Sequence, residues 1–310
     1  MRCAAAARPG DGACFFWSGG TALGDYALAS FNLSSVFSEI DVLHSTPLAA
    51  EPPYPYQELI GFRIVEWREN HAVVELPVET KRELQRILSH HPDPQVRTLE
   101  TASIWPDLIR EREHAFHHHH RFYWHFQNRP IPGPVEDVED RGRLLEQLEA
   151  QTRILADRTS PESQRAVALC WLVHLVGDVH QPLHNGTYIS PEFPQGDQGG
   201  NLFQVRLGQR NISLHSLWDK VGGRFIEQPG LERLSSYCSW FQQAHPQQSL
   251  AGELNDHSFD SWSDEGYEMA REIYGAVQPN ISISERTLQK TLNQSRVRVT
   301  LAGYRLARLL

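Results

Sequence analysis

The chain has 310 residues, of which 40% are hydrophobic and 22% are charged, and its formal net charge is -9. This composition is that of an ordinary soluble globular protein, and no apolar run approaches the roughly 20 residues that a membrane-spanning helix needs. The negative balance argues against the basic face with which proteins bind long nucleic acids. For a phosphate-containing substrate, bound cations are therefore the expected source of local positive charge.

Residues 1–56 differ in composition from the rest of the chain. They are rich in Ala, Gly and Ser, show no sustained period, and end in a proline cluster at Pro52, Pro53 and Pro55. We predict an atypical N-terminal extension here, either disordered or the product of a mis-predicted start site, and a main domain over residues 57–310. The first residues lack the apolar core of a clear signal peptide.

Helical patterning dominates the chain from Gly61 onward, so a helix is expected directly after that glycine. Apolar residues repeat at three- and four-residue steps in several later stretches. These are Glu79–Leu88, Arg143–Ala156, Asp264–Val277 and Ser284–Leu310. Between them, Ser160 as the N-cap and Pro161 in the first position predict a helix that runs through His174 toward Pro182.

Strand signals are scarce. The only β-like run is Asn201–Leu207, which predicts one arm of a small hairpin. The sequence therefore predicts an all-α class: a mainly helical single domain with one small β-hairpin. Two alternatives remain open for Cys170, which either forms a bridge with Cys238 or is a buried free thiol.

Two His-x-x-x-Asp pairs, His174/Asp178 and His215/Asp219, lie on either side of His184. Residues four apart lie one above the other on a helix, so each pair can grip one cation from a single helix face. Imidazole nitrogen and carboxylate oxygen suit zinc, which binds such ligands at roughly 2.0–2.2 Å. The spacing therefore predicts a metal site.

The whole set of candidate ligands exceeds what one tetrahedral zinc uses and is sufficient for two ions with positions left open for water. It comprises Asp107, His125, His174, Asp178, His184, His215 and Asp219. A single histidine is more often a satisfied core residue, but chance rarely supplies two identical pairs beside a His-Gln-Pro-Leu-His turn. The His117–His120 run, in contrast, is interpreted as a solvated loop.

Five motifs occur in an order that resembles the zinc-dependent single-strand nuclease family of the S1/P1 type, in the phospholipase C/nuclease superfamily. They are A-S-I-W-P-D-L-I-R, W-H-F, H-L-V-G-D-V-H-Q-P-L-H, G-D-Q-G-G-N and L-H-S-L-W-D. The resemblance covers roughly Gly61 to Leu310. It implies a zinc-dependent phosphodiesterase or endonuclease that hydrolyses single-stranded DNA and RNA to 5′-phosphate products, with 3′-nucleotidase action as a further expectation.

The resemblance also implies how the ligands divide between ions. The first zinc would be held by Asp107, His125, His174 and Asp178. The second zinc would be held by His184, His215 and Asp219. His180 is not a ligand in this scheme and is expected to support the ligands around it.

Further roles follow from the same resemblance. Asp107 and Asp178 would be catalytic through the metals, Arg110 would contact phosphate, and Asn201 would lie at the scissile phosphate. Phe126 and Asn128 would line the pocket for an unpaired base.

At its front the chain departs from the family, whose W-G-x-x-G-H segment supplies ligands to a third zinc bridged by Asp178. Gln57 stands at the Trp position and Phe62 replaces the His. Because a phenyl ring has no lone pair, the third zinc is expected to bind weakly or not at all.

Two alternative functions stay open. One is a catalytically weakened zinc-binding member of the family. The other is a zinc phospholipase C-like phosphodiesterase, which would need an exposed apolar rim that the sequence does not indicate. The resemblance implies an extracellular or periplasmic protein whose partners are single-stranded DNA, RNA and nucleotides, with no membrane and no obligate protein partner.

Overall fold

A computed structural model describes residues 63–68, 71–75, 78–133, 140–221 and 240–310, the first two ranges as backbone only. The predictions for the 1–56 extension, Gln57 and Phe62 therefore lie outside the described residues.

The described part of the chain is mainly helical, as predicted. Its α-helices are α1 (Val78–Leu88), α2 (Leu99–Leu108), α3 (Leu144–Ala156), α4 (Glu162–His180), α5 (Leu214–Asp219), α6 (Ala251–Leu254), α7 (Phe259–Ala276) and α8 (Glu285–Leu309). Short 3-10 turns span His117–His119, Phe122–His125, Pro182–His184 and Gln247–Leu250.

The predicted helices are present, with two corrections at their starts. Helix α7 begins before Asp264, because the Ser258 side chain accepts a hydrogen bond from the Ser261 backbone N–H and caps the helix at that point. Ser160 is not the N-cap of α4, so that prediction was wrong. The helix begins at Glu162 after Pro161 without a side-chain cap, and the Ser160 hydroxyl donates to the Asp157 carboxylate instead.

The described strands form three two-stranded sheets, two more than the sequence indicated. The strands are β1 (Arg63–Arg68), β2 (His71–Glu75), β3 (Arg129–Ile131), β4 (Gly186–Tyr188), β5 (Gln204–Leu207) and β6 (Arg210–Ser213). The antiparallel β5–β6 hairpin is the one predicted from Asn201–Leu207. The prediction of a helix after Gly61 was wrong, because β1 and β2 form an antiparallel hairpin there.

The parallel pair β3–β4 joins two distant segments of the chain, with Arg129 opposite Gly186. His125 lies four residues before β3 begins, and His184 lies two residues before β4 begins. The pairing therefore brings these two histidines close together.

Helix α4 is the centre of the main core and packs against α1, α2, α3, α7 and α8. Apolar residues of α4 occur on all sides of the helix, which is the pattern of a fully buried helix. Leu169, Trp171, Leu172 and Leu175 are buried in that core. Polar residues near its C-terminal end are buried as well: His174, Asp178 and His180. Buried charges and imidazoles need partners, so this end of α4 is a candidate functional site.

A second core packs the β5–β6 hairpin and α5 against α7, and it includes Leu183, Phe203, Trp218 and Tyr274. This packing fixes the turn that follows α4 relative to α5. Cys170 lies in the main core as a buried free thiol. Among the described helices, none combines the length and the apolar character required to cross a membrane.

Candidate metal centre

The structure brings the candidate ligands together in two groups. In each group the ligand atoms of its three residues lie within 4.8 Å of one another, and the geometry suits a metal ion. The first cluster is Asp107, His125 and His174; the second cluster is His184, His215 and Asp219.

Asp178 lies between the two clusters and is completely buried. Its Oδ2 is 3.1 Å from His125 Nδ1 and 3.3 Å from His174 Nε2. Its Oδ1 is 3.8 Å from His184 Nδ1. One carboxylate thus faces both clusters, so the seven predicted ligands form one continuous centre.

Three elements supply the first cluster. Asp107 lies in the last turn of α2, directly after Pro106, and α2 packs on α4. His174 projects from α4, with its Nε2 3.9 Å from Asp107 Oδ1. His125 ends a 3-10 turn, which is held in place because Trp124 packs edge-on against Trp171 at 4.8 Å.

The second cluster is built by the turn after α4 and by α5. Gln181 begins that turn, and its side chain accepts a hydrogen bond from the Leu183 backbone N–H. His184 follows three residues after Gln181, while His215 and Asp219 lie on α5, which begins after the Ser213 cap. All three ligands of this cluster are buried.

The G-D-Q-G-G-N loop reaches the second cluster through its backbone. Gly199 has a φ of +60° and lies so close to the Leu183 carbonyl oxygen that a Cβ would collide with it. Only glycine fits this position without strain. The close approach allows the Gly199 carbonyl oxygen to accept a hydrogen bond of 2.7 Å from His215 Nδ1.

Backbone carbonyls orient three of the four imidazoles. His174 Nδ1 is 2.7 Å from the Ser103 oxygen, and His184 Nδ1 is 2.6 Å from the His125 oxygen. His215 makes the same contact with Gly199. Because a carbonyl only accepts, each Nδ1 donates to its carbonyl, and the Nε2 atom is the one left for a metal, as in metal-bound histidines.

Two carboxylate oxygens have unmet hydrogen-bonding capacity. Asp107 Oδ2 and Asp219 Oδ2 are buried and accept no hydrogen bond from the described residues. Leaving such an atom unsatisfied costs free energy, and a bound cation would remove that cost. Together with the imidazole orientation, this observation fits a divalent metal with nitrogen and oxygen ligands.

The electrostatic environments of the two clusters differ. Burial acts to lower the pKa of His174, but the charges of Asp178 and Asp107 outweigh it and raise that pKa to about 9. In the second cluster, burial and, to a smaller extent, the neighbouring His184 lower the pKa of His215 to about 3. Burial also raises the pKa of Asp219 well above its ordinary value.

Behind the clusters, two buried arginines and the partly exposed Glu265 form an ionic network that holds the C-terminal end of α4. Glu265 forms ion pairs with Arg298 at 2.6 Å and with Arg305 at 2.7 Å. Arg298 donates to the His180 carbonyl oxygen, and Arg305 lies 3.0 Å from His180 Nε2. His180 belongs to neither cluster, and its contacts are those of a supporting residue.

The remaining predicted site residues lie around the clusters. Arg110 is in the turn after α2, with its backbone N–H bonded to the Asp107 carbonyl. Phe126 directly follows His125, and the Asn128 backbone N–H donates to Asp140 Oδ1 at 2.8 Å. Asn201 closes the glycine-rich loop and donates its side-chain amide to the Gln198 carbonyl at 2.9 Å. The His117–His120 run contributes to neither cluster.

Sequence reasoning missed several residues in or near the centre. The Gln181 amide donates to Asp219 Oδ1 at 2.8 Å, and its place between two ligand histidines was the available signal. Arg298 lies on the buried face of α8, where a charged residue in an apolar stripe was the signal. Phe122 and Tyr123 are large exposed aromatic residues within the turn that ends at His125.

Comparisons with known proteins agree with these motifs. A family model described as S1/P1 Nuclease matches residues 72–310. Endonuclease 4 of Arabidopsis thaliana is 44% identical over 54 residues, which is 17% of this chain and 16% of that protein. Endonuclease 2 of the same plant is 28% identical over 141 residues, or 41% of this chain and 44% of that protein.

A fungal relative matches as well. Nuclease S1 of Aspergillus oryzae is 32% identical over 84 residues, which is 27% of this chain and 26% of that protein. The matched segments thus span less than half the length of each of these relatives.

Proposed function

The chain belongs to the S1/P1 nuclease family, and from that premise we propose that it is a zinc-dependent endonuclease. Its substrates would be single-stranded DNA and RNA, its products would carry 5′-phosphates, and 3′-nucleotidase action would accompany the main activity. Family relatives named Endonuclease 2 and Nuclease S1 support the reaction class. An extracellular or periplasmic location is part of the same proposal.

The observation that carries this proposal is the pair of ligand clusters joined by Asp178. Nitrogen and oxygen donors in groups of three, with a carboxylate between the groups, suit two zinc ions with open positions. Asp107, His125, His174 and Asp178 would hold one ion, and His184, His215 and Asp219 the other. When bound, zinc acidifies water and neutralises charge on a phosphate.

The chain's own residues would orient the metal ligands and bind the substrate phosphate. The carbonyls of Ser103, His125 and Gly199 hold the rings of His174, His184 and His215 in orientation, which favours metal binding. Arg110 would hold a phosphate oxygen near Asp107, and the Asn201 amide would contact the scissile phosphate.

A preference for single strands follows from the place of Phe126 beside His125. A base must leave its stack before it can reach a ring at that position, and an unpaired base does so at the lowest cost. The net charge of -9 also favours short contacts over a long duplex footprint.

The number of zinc ions tests the metal part of the proposal. We expect two tightly held ions, because the two clusters are complete while Phe62 replaces the family's third-site histidine. Native mass spectrometry after mild dialysis would count them. The variant with His117–His120 replaced by Ser removes adventitious binding, and three tight ions in that variant would contradict the expectation.

An assay of the zinc-loaded protein tests the activity. We expect hydrolysis of single-stranded DNA and RNA, slower hydrolysis of duplex DNA, and 5′-phosphate ends on the products. Chelator-treated protein is the control and should be inactive until zinc is restored. Two bound zinc ions without hydrolysis of any phosphodiester would instead support the catalytically weakened alternative.

A second candidate function has one observation in its favour. A phospholipase C-like enzyme needs an exposed apolar rim, which the sequence did not indicate, yet Phe122 and Tyr123 are 55% and 46% exposed. Hydrolysis of phosphatidylcholine vesicles should therefore be measured alongside the cleavage of oligonucleotides. Release of the phosphorylated headgroup without any cleavage of oligonucleotides would replace the nuclease proposal.

A further inference from the structure

Three aromatic side chains form a cluster in and directly after the turn that ends at His125, a candidate ligand of the first cluster. Phe122 lies 5.4 Å from Phe126 and from Tyr123, and Tyr123 lies 6.2 Å from Phe126, all as ring-centroid distances. We call these three residues the aromatic platform. The first two are among the few large apolar residues that the described chain exposes.

We propose that Phe122 and Tyr123 form a second base-stacking site, which takes the nucleotide next to the one held by Phe126 and splays the two bases apart. This inference rests on the nuclease function proposed above. It specifies the substrate as an oligonucleotide that has a second unpaired base next to the one nearest the cleaved bond.

The local backbone explains how the platform arises. Phe122–His125 form a 3-10 turn, and Phe126 follows in an extended conformation. The reversal brings Phe126 beside Phe122 while His125 joins the metal cluster. The turn that supplies His125 to the first cluster therefore also supplies the aromatic rings.

The angles between the rings determine what they can bind. The ring planes of Phe122 and Phe126 meet at 75°, and those of Phe122 and Tyr123 at 78°. Three edge-to-face contacts use at most three of the six ring faces, so faces remain for other partners. Bases lying on nearly perpendicular rings cannot remain stacked on each other, which a duplex would require.

The platform is anchored firmly before any substrate arrives. The Arg143 N–H donates to the Tyr123 carbonyl at 2.7 Å, and the Gln127 N–H donates to the His184 carbonyl at 2.8 Å. Gly142 lies so close to Phe126 that a Cβ would collide with its carbonyl oxygen. Binding to such a prearranged surface loses little conformational entropy.

Charge at its edge also matches a nucleic acid. Arg121 directly precedes Phe122, and its guanidinium is held by the His118 and His120 carbonyls at 2.8 Å each. The guanidinium lies 5.8 Å from the centre of the Trp124 ring, so this turn combines an exposed cation with exposed rings, as do proteins that bind a single strand without sequence preference. Two exposed side chains next to a cation fit one base and its phosphate better than a lipid surface.

Matched tetranucleotides provide the test. One is a thymidine tetranucleotide, and the other has abasic outer positions, so that both share length, charge and the central bond. We expect the zinc-loaded protein to cleave the first with a higher kcat/KM. In the Phe122→Ala/Tyr123→Ala variant that preference should fall at least about fivefold, the lower bound for one lost stacking contact.

Controls separate stacking from damage to the fold. Phe122→Tyr should keep the preference and Phe122→Leu should lose it, since leucine keeps apolar bulk without a π face. Ile281→Ala removes an apolar side chain that is also 55% exposed, outside the platform, and should change nothing. Zinc content should match the wild type in every variant, because no ligand is altered.

A binding measurement is independent of turnover. Fluorescence anisotropy of a labelled thymidine tetranucleotide with the metal-free protein should show the same loss of affinity in the double variant, and none with the abasic strand. An unchanged preference in the double variant, in both assays, would overturn the inference. Loss of phosphatidylcholine vesicle binding in that variant, with oligonucleotide binding intact, would assign the platform to a lipid surface and overturn it as well.

The proposed function can fail separately. If the wild type cleaves no oligonucleotide at all, the nuclease proposal fails. The anisotropy assay still decides whether Phe122 and Tyr123 bind a base.

Discussion

The pairs His174/Asp178 and His215/Asp219 have the same sequence spacing but opposite electrostatics. Both are four residues apart on a helix and almost completely buried, with nitrogen–oxygen distances of 3.3 Å and 3.5 Å. Yet the pKa of His174 is raised to about 9, while that of His215 is lowered to about 3. In the metal-free fold, the surroundings therefore favour the charged form of His174 and the neutral form of His215.

The difference comes from the residues around each pair. Burial acts to raise the pKa of Asp178, but the charges of His174 and His184 hold it well below its ordinary value. Burial raises the pKa of Asp219, the Gln181 amide and Lys220 oppose the rise, and Asp107 and Asp178 add to it. Local spacing sets the geometry of a pair, and the surrounding charges set its protonation state.

The contrast has a consequence for metal binding. Ligands must be deprotonated to bind a metal, so loading releases protons. In the first cluster the proton comes from His174, whose pKa is high. In the second cluster, the raised pKa of Asp219 favours its carboxyl as the source of the proton.

The largest effect that would test this comparison is on the stability of the metal-free protein. Asp178→Asn should lower the free energy of unfolding at pH 7 by about 3 kcal/mol, because it removes the counterion of a buried imidazolium. Urea unfolding in the presence of a chelator measures it. Asp264→Asn is the control, since that carboxylate is 69% exposed in its ion pair with Arg129 and should cost about 1 kcal/mol or less. Equal losses would mean that the first pair is not charged.

Turnover provides the next test. At saturating zinc, Asp178→Asn should reduce cleavage of single-stranded DNA about tenfold more than Asp219→Asn does, a typical effect of disturbing a ligand shell. The reason is that Asp178 contacts histidines of both clusters, whereas Asp219 belongs to one. If the two variants lose the same amount, Asp178 serves a single ion.

Gln181→Leu should weaken zinc binding at the second cluster about tenfold and leave the first cluster unchanged. The Gln181 amide donates a hydrogen bond to the Asp219 carboxylate and holds it in place. Chelator competition would resolve the two affinities. Gln151→Leu, at a buried glutamine of α3 that bonds Gln147, is the matched control. A uniform loss at both sites would contradict the assignment.

The smallest effect concerns pH. Because the pKa of Asp219 is higher in the folded than in the unfolded protein, the folded state holds a proton that the unfolded state has lost above about pH 4. Stability of the metal-free protein therefore falls as pH rises. Asp219→Asn should remove this slope and make the metal-free variant more stable than the wild type at pH 7, by about 1 kcal/mol.

Chemical unfolding at pH 4 and pH 7 would measure that difference, which should shrink toward pH 4. A variant that is less stable than the wild type at pH 7 would mean that Asp219 is ionised in the metal-free fold. The comparison between the two clusters would then be wrong.

Much of this molecule could be predicted from the sequence because it depends on neighbours three or four residues apart. That spacing produced the helices and both His-x-x-x-Asp pairs. The order of the motifs then pointed to the family that the comparisons support. The β1–β2 hairpin was missed, because the apolar pattern around it favoured a helix.

Only the tertiary structure determined what surrounds those local patterns. The carbonyls that orient His174, His184 and His215 come from residues 71, 59 and 16 positions away, and no periodicity specifies such partners. The packing of α2, α4 and the turn after α4 placed Asp178 between the clusters and left Phe122 and Tyr123 exposed. Protonation and exposure depend on every neighbour in space, whereas sequence spacing fixes only the neighbours along one helix.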